Sequence, residues 1–445
     1  MRIVLISPKG PLYRHRGGIF KKNLRYAPLT LTTLAALIPE ELDAEVSLID
    51  EGVGDVPLDL EADLIGMTVI TGTANRTYEL ARHFRDKGIP VVLGGPHVTL
   101  LPDEAHMHAD SIVTGYAEET WPQLLRDFAQ GKMRSRYSQA ADFNLDKPVF
   151  PRRDLLDPSS FLTTAVFEAT RSCSHSCDFC VAPAAWGRKQ IQKPVEFVVE
   201  DIRRQKARKI IFIDLNLISN KRYAAALFEA LIPLKVKWFG LSTTLIAEQP
   251  ELLGLMARSG CTGLLLGFES ILDGNLNSMG KGFNTPDKYH ALVRLLHKNG
   301  ISVMGCFVFG LDGDTERVFD ETVRFVNDAA IDLPRFAVST PFPGTPLYYR
   351  MEAEGRILTR NWELFDGQHV VFQPQEMSVE ELRLGHERAW KQAYSLPSIV
   401  RRISASRIQI PLSIVANMGY RFYANNLHRF YTCDWVLGQR ERPAA

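Results

Sequence analysis

The chain has 445 residues, 52 Lys plus Arg against 51 Asp plus Glu, a net charge of +1 and 45% apolar residues. That length suits two or three domains, and the balanced charge argues against a nucleic-acid binder, which carries a basic excess. No apolar run reaches the about 18 residues of a membrane-spanning helix, the N-terminal MRIVLISPKG is too short for a signal peptide, and six cysteines, three of them clustered, do not form a disulfide framework; the expectation is a cytoplasmic enzyme.

Met1–Ser7 reads as a buried strand, with Ile3 to Ile6 continuous and Pro8-Lys9-Gly10 ending it. A helix over Tyr26–Ile38 follows, then strands over Ala44–Ile49 and Leu64–Val69 and a helix over Asn75–Lys87. Strands over Val91–Leu93 and Ser111–Val113 and a helix over Glu119–Gln130 complete the series. Continuous apolar strands alternating with helices predict a doubly wound, Rossmann-like α/β domain over residues 1–135. Its ligands are expected at the carboxyl ends of the strands. Pro8–Gly18, Thr68–Thr73, Gly94–Thr99 and Thr114–Glu118 lie there, and their glycines let a large ligand approach the backbone.

A linker over 136–160, rich in proline and charge, leads to a second alternating series over 161–349. Its strands are Thr163–Glu168, Lys209–Ile213, Trp238–Leu241, Gly263–Leu266, Ser302–Phe309 and Arg335–Ser339. Helices over Val195–Ala207, Lys221–Leu231, Pro250–Ser259, Pro286–Asn299 and Thr315–Asp328 lie between them. Six such units imply a partial (β/α)6 TIM barrel, whose chemistry collects on the loops after the strands. Asp214, Asn216, Ser242, Glu269 and Gly310 occupy those loops, and Pro341–Pro346 forms a rigid turn after the last strand.

Residues 350–445 lose the parallel-sheet rhythm and read as a helical segment. Ser378–Gln392 is a helix with Ser378 and Glu381 spaced as a capping box. Ser398–Ile408 and Ile414–His428 follow. From His386 onward nine Lys or Arg stand against three Asp or Glu. The expectation is a lid that sets substrate choice and packs through Tyr420, Phe422, Tyr423, Phe430, Tyr431 and Trp435. The alternative is peripheral contact of these basic helices with a membrane surface.

Cys173, Cys177 and Cys180 stand in the frame Cys-x3-Cys-x2-Cys, with Phe179 before the last. Three thiolates can hold three corners of an iron–sulfur cubane and leave one iron open. Zinc is the other candidate and would need a fourth ligand such as His175. The frame resembles the cluster motif of the radical S-adenosylmethionine (SAM) superfamily. That resemblance implies a [4Fe-4S] cluster whose open iron chelates SAM and whose electron cleaves it to a 5′-deoxyadenosyl radical. It further implies SAM contacts at Phe179, Asp214, Asn216, Ser242, Glu269 (in Gly-Phe-Glu-Ser) and Gly310. The run GGPHVT…VTGYAEETW resembles the cobalamin-binding domain attached to many such enzymes, and implies cofactor contacts at Gly94, Gly95, His97, Thr99, Gly115 and Glu118. This chain has Gly-Tyr-Ala-Glu where most such domains have Gly-Glu-Gly-Glu. His15 stands where other cobalamin proteins carry a cobalt ligand, but Tyr13 replaces the aspartate that orients it, so a solvated loop histidine is expected.

The expected activity is methyl transfer to an unactivated carbon of a small molecule (lipid, tetrapyrrole or natural product). Oxidative cyclisation, oxidation or rearrangement is the alternative. The reducing partner would be a flavodoxin or ferredoxin, and no nucleic acid is expected. Cys306 faces the barrel lumen in this reading and is expected to be inert packing. A redox or light sensor would not need a SAM cradle. A tRNA methylthiotransferase would need a second cysteine trio upstream, and residues 1–172 contain no cysteine.

Overall fold

The computed structural model describes residues 1–10 and 26–427. Strands β1 (Arg2–Ser7), β2 (Glu45–Asp50), β3 (Leu64–Thr68), β4 (Val91–Gly94), β5 (Ser111–Thr114) and β6 (Arg136–Ser138) form one sheet in the order β2-β1-β3-β4-β5-β6. All its pairs are parallel. Helix α1 (Leu29–Ala36) covers one face. Helices α2 (Ala74–Asp86), α3 (Pro96–Leu100) and α4 (Pro102–His106) cover the other, and α5 (Thr120–Ala129) returns to the first. Alternate residues of β1 feed the two layers: Ile3 and Leu5 pack with Leu31 and Trp121, Val4 and Ile6 with Leu80 and Phe84. The strand order reverses between β1 and β3, which opens a crevice at their carboxyl ends.

Two boundaries differ from the sequence reading. Helix α1 starts at Leu29, because Pro28 is held extended at its N-cap. Ala27 instead donates its N–H to the carbonyl of Thr163 at 2.9 Å, tying the two domains. Strand β6 extends the sheet into the expected linker; only Tyr137 of its three residues is buried, too short a pattern to read from sequence.

The second unit opens with β7 (Val166–Phe167) and a small antiparallel pair, β8 (Thr170–Arg171) and β9 (Ile191–Gln192), around helix α6 (Val181–Trp186). Then come α7 (Val195–Gln205), β10 (Lys209–Phe212), α8 (Lys221–Leu231), β11 (Lys237–Ser242), α9 (Pro250–Arg258) and β12 (Cys261–Glu269). Helices α10 (Asp273–Ser278) and α11 (Pro286–Lys298), β13 (Ser302–Phe309), α12 (Arg317–Asp328) and β14 (Leu333–Val338) finish it. The parallel order β14-β13-β12-β11-β10-β7 is the expected open half-barrel. Burial along β13 alternates, so Val303, Phe307 and Phe309 pack under the helices while Met304, Cys306 and Val308 line the lumen side.

The described residues after the barrel do not make one lid. After α13 (Pro346–Ala353), Trp362, Leu364, Phe365 and Val371 join the core of the N-terminal sheet. Trp362 Nε1 donates to Glu104 at 3.0 Å, and Gly367 accepts from the N–H of Val338 on the free edge of β14 at 2.8 Å. Helix α14 (Val379–Ala393), with Ser378 and Glu381 in the expected capping box, takes the place of the sixth barrel helix. Gly385 brings it close to α12, since a Cβ there would lie 2.1 Å from the Phe319 ring.

Helices α15 (Leu396–Ser406) and α16 (Ile410–Asn425) follow. Gln409 donates to Thr262 O at 2.7 Å and Asn417 to Asp332 O at 3.1 Å. Both acceptors lie at the amino ends of barrel strands, opposite the cysteine loop. The expected lid over the site is therefore corrected for the described helices. Tyr420 and Tyr423 do pack: Tyr420 stacks on Trp390 and Tyr394, and Tyr423 meets Trp390 edge-on. Phe422 faces outward. Phe430, Tyr431 and Trp435 lie outside the described residues, as do Tyr13 and His15.

Candidate active site

The cysteine loop leaves β8 through Ser172, whose backbone takes a positive φ of 65°. Cys177 is buried, Cys173 and Cys180 are half-buried, and Cys180 is the N-cap of α6. The loop is held from two sides: Asp178 N–H donates to Met279 O at 3.1 Å, and Leu347 N–H to Asp178 O at 3.1 Å. Burial pushes the Cys177 thiol up to about 11 and raises Cys180 as well; Cys177 also feels Cys180 and Cys173, and Cys180 feels Cys173. Metal must therefore displace protons on binding. Among the described residues no three His, Cys, Asp or Glu side chains converge as a single ion requires. Three thiols on one loop can hold three corners of a cluster.

Glu269 ends β12 with φ of 63° and forms a buried ion pair with Lys281. Burial works against the Lys281 charge, but Glu269 outweighs it and raises its pKa. Lys281 also acts on Cys177 and Cys180, so the pair stands beside the cysteine loop. Gly267 makes room for it: a Cβ there would lie 2.1 Å from Glu269 Oε1 and 2.7 Å from Lys281 Nζ. Asn284 fixes the strand end, donating to Gly267 O at 2.9 Å and Phe268 O at 3.0 Å. Sequence reading missed Lys281. Its signal was a cation between two glycines, in Met-Gly-Lys-Gly.

Asn216 Nδ2 lies 4.0 Å from Cys173 Sγ, next to the cluster loop as expected. Ser242 is buried, and the neighbouring Thr243 hydroxyl is buried without a hydrogen-bond partner. Asp214 is a correction. It is fully buried, and its carboxylate accepts the N–H groups of Ala169 and Thr170. Burial, with Glu168 nearby, pushes it up to about 7. It braces the strand entering the cysteine loop and has no free face for SAM.

A cavity of about 190 Å³ adjoins this loop. Phe179, Met279, Val308, Gly310, Ala337 and Phe342 give it mostly apolar walls. Gly310 has a φ of 87°, and a Cβ would meet Leu382 at 2.6 Å. The proline turn forms part of the rim, with Gly344 packed on Leu100 of the N-terminal domain and Thr345 capping α13. Asp178 Oδ1 is buried at this cavity without a partner. Apolar walls with an unpartnered Asp178 oxygen fit a nucleoside whose polar groups would satisfy it.

A larger cleft of about 390 Å³ joins the two domains. Leu5, Leu34, Gly66, Val92, Val113 and Trp121 form its apolar inner end. Gly66 keeps that end open, since a Cβ would lie 2.9 Å from Leu5. Gly94, Gly95, Gly115 and Glu118 line the middle, and Glu168, Arg171, Ser172 and Trp186 the barrel side. Gly95, at φ 110°, could not carry a Cβ, which would lie 2.8 Å from Val69 O. Tyr116 lies in the same wall with its hydroxyl buried and unpartnered. A cleft lined by apolar side chains and glycine turns, with an unsatisfied hydroxyl, fits cobalamin, which carries an aromatic tail and an amide-rimmed ring.

His97 and Thr99 do not line this cleft. His97 is fully buried between Thr71 Oγ1 and Glu104 Oε1, each at 3.3 Å, and meets the Trp362 ring edge-on. That corrects its expected cofactor contact. Thr99 Oγ1 donates to Gly95 O at 2.9 Å and accepts from Gly115 N–H at 3.0 Å, so it clamps the two glycine turns. Glu118 pairs with Arg171, which also pairs with Glu168 at 2.8 Å. Glu168 in turn meets Lys193 at 3.0 Å. Burial opposes the Glu168 charge, but Arg171 and Lys193 hold it down at about 2. Glu118, Arg171 and Glu168 of this charged chain line the cleft, and the chain was not legible in sequence.

Comparison with known proteins agrees with this geometry. Residues 167–326 match the radical SAM superfamily, 26–125 the B12 binding domain, and 345–442 a domain of unknown function. Bacteriochlorophyllide d C-12(1)-methyltransferase from Chlorobaculum tepidum is 31% identical over 84% of both chains. Among solved structures, the cobalamin-dependent SAM radical enzyme OxsB superposes with a TM-score of 0.67 at 15% identity, covering 98% of this chain and 72% of the other. The radical SAM methyltransferase TsrM from Kitasatospora setae, with cobalamin and a [4Fe-4S] cluster, gives 0.61 at 17% identity over 79% and 78%.

Proposed function

The chain belongs to the radical SAM superfamily, in its cobalamin-binding branch, and from that premise we propose that it methylates an unactivated carbon of a tetrapyrrole. The observation that carries the reading is the cleft that runs unbroken from the glycine turns of the N-terminal sheet to Ser172 at the cysteine loop. The tetrapyrrole is chosen because the relative at 31% identity is a bacteriochlorophyllide methyltransferase. Bound together, the cluster, SAM and cobalamin supply the 5′-deoxyadenosyl radical and the methyl group.

The chain's own part is binding and orientation. In this reading Cys173, Cys177 and Cys180 hold the cluster, with Asn216 beside Cys173. Glu269 and Lys281 take the amino and carboxylate groups of SAM, and Ser242 and Thr243 offer hydroxyl contacts. Phe179 and Gly310 shape the adenine cavity. Gly94, Gly95, Gly115, Tyr116 and Glu118 hold cobalamin, while Asp214, His97 and Thr99 keep the loops in place. The reductant is a flavodoxin- or ferredoxin-like protein, and the setting is cytoplasmic, with membrane contact through the C-terminal helices.

The test is anaerobic reconstitution, followed by measurement of bound corrin and of SAM products after reduction with bacteriochlorophyllide d present. Bound corrin, 5′-deoxyadenosine, S-adenosylhomocysteine and a methylated pigment are expected. Product formed without S-adenosylhomocysteine would favour cyclisation or rearrangement. Absence of corrin under every loading condition would end the methylation reading.

A further inference from the structure

Helix α16 is built inside out. Its inward stripe carries Ser413, Asn417 and Ala424, all buried, and Asn417 is fully so. Its outward face carries Leu412 at 61% exposure, Val415 at 71%, and Ile414, Met418 and Phe422, all exposed. Positions 414, 415 and 418 fall within one arc of the helical repeat, so these side chains form one stripe, with Leu412 at its edge. Helix α15 repeats the inversion. Arg402 is fully buried, donating to Ala393 O and to Asn417 Oδ1, while Leu396 and Val400 are exposed. A water-facing pair of helices would place these residues the other way round.

The charge on this face has one sign. Leu396–Asn425 contains Arg401, Arg402, Arg407 and Arg421 and no Asp or Glu. Arg402 is spent inside, and Arg401 is exposed at the edge, paired with Asp328 of α12. Arg407 is exposed in the turn between the two helices, with its Nε donating only to Ser404 O. A second copy of the chain would set arginine against arginine across the same face. Residues 428–445 are also net basic, with Arg429, Arg440 and Arg442 against Asp434 and Glu441. The complementary partner is apolar with an anionic surface. No described helix is long and apolar enough to cross a membrane.

We propose that α15 and α16 lie in the interfacial region of an anionic lipid bilayer, with Val400, Leu412, Val415 and Met418 in the acyl boundary and Arg407 at the headgroups. This names the face, the lipid charge and the residues of the membrane contact proposed above, and it does not depend on the reaction at the cluster.

The experiment is flotation of the full chain with vesicles of phosphatidylcholine alone and of phosphatidylcholine mixed with phosphatidylglycerol. Binding is expected only, or far more strongly, on the anionic vesicles, and weaker in high salt. Arg407→Gln should weaken it about fivefold. Val415→Asp combined with Met418→Asp should weaken it more than about tenfold. Both variants should keep reductive SAM cleavage in solution, which separates lost docking from lost folding or a failed enzymatic reading. Absence of flotation with the anionic vesicles would overturn the proposal. So would unchanged flotation of the double variant, or a dimer in solution that the double variant dissolves.

Discussion

The Tyr116 ring of the N-terminal domain stacks on the Trp186 ring of the barrel domain, with centroids 5.6 Å apart and planes 9° apart. The Arg171 guanidinium lies 5.0 Å from the Tyr116 ring centre. The two rings thus close one side of the cleft by joining its walls. Tyr116 stands where the resembled domains carry glutamate, so this substitution exchanges a charge for an interdomain contact.

Trp186→Ala should loosen that wall. A stacked pair is worth about 0.5–1.5 kcal/mol beyond its burial, so corrin retention should fall about three- to tenfold. Corrin per chain after gel filtration measures this. The cluster's electron paramagnetic resonance signal should be unchanged, because the cysteine loop is held by Met279 and Leu347 rather than by Trp186.

Lys281→Met should be the most damaging change outside the cysteines. It leaves Glu269 buried without its counter-charge, which costs about 3–5 kcal/mol of stability. Thermal unfolding of the reconstituted protein reads this loss. Lys281→Met with Glu269→Gln should recover most of the stability but not SAM affinity. Recovery of both would show that the pair is only structural.

Cys306 and Cys177 should separate cleanly. Burial pushes the Cys306 thiol up to about 11, with Arg335 opposing, so it is a protonated thiol at neutral pH. Cys306→Ala should keep full cluster content and SAM cleavage. Cys177→Ala should lose both, as judged by iron content and 5′-deoxyadenosine.

His386 gives the chain an acid-sensitive element. Burial brings its pKa from 6.5 to about 4, with its Nε2 at 3.2 Å from Phe336 O. The unfolded chain therefore binds this proton first as pH falls. Stability is full above about 6.5 and drops by up to about 3 kcal/mol on approach to pH 4. His386→Gln should flatten this part of the profile, seen as the difference between the two denaturation curves across pH.

Much of this was legible from local signals. Continuous apolar strands gave both parallel sheets, and Ser378 with Glu381 gave a capping box. The cysteine frame and the glycine turns stand on the loops where strand order placed them. The misreadings at Asp214 and His97 share one cause. Asp214 and His97 sit after strands, as a ligand residue would, yet their side chains turn into the protein to backbone N–H groups in one case and to Thr71 and Glu104 in the other.

The sequence by itself determined the order of the elements, the cluster motif and the two kinds of domain, because periodicity and short spacings act between neighbours along the chain. Tertiary structure decided which distant residues meet: Lys281 with Glu269, Arg171 with Glu118, Tyr116 with Trp186, and α16 at the far end of the barrel. These contacts join loops and helices from different units, and their energies depend on distance in space and on shared burial, which spacing along the chain does not encode.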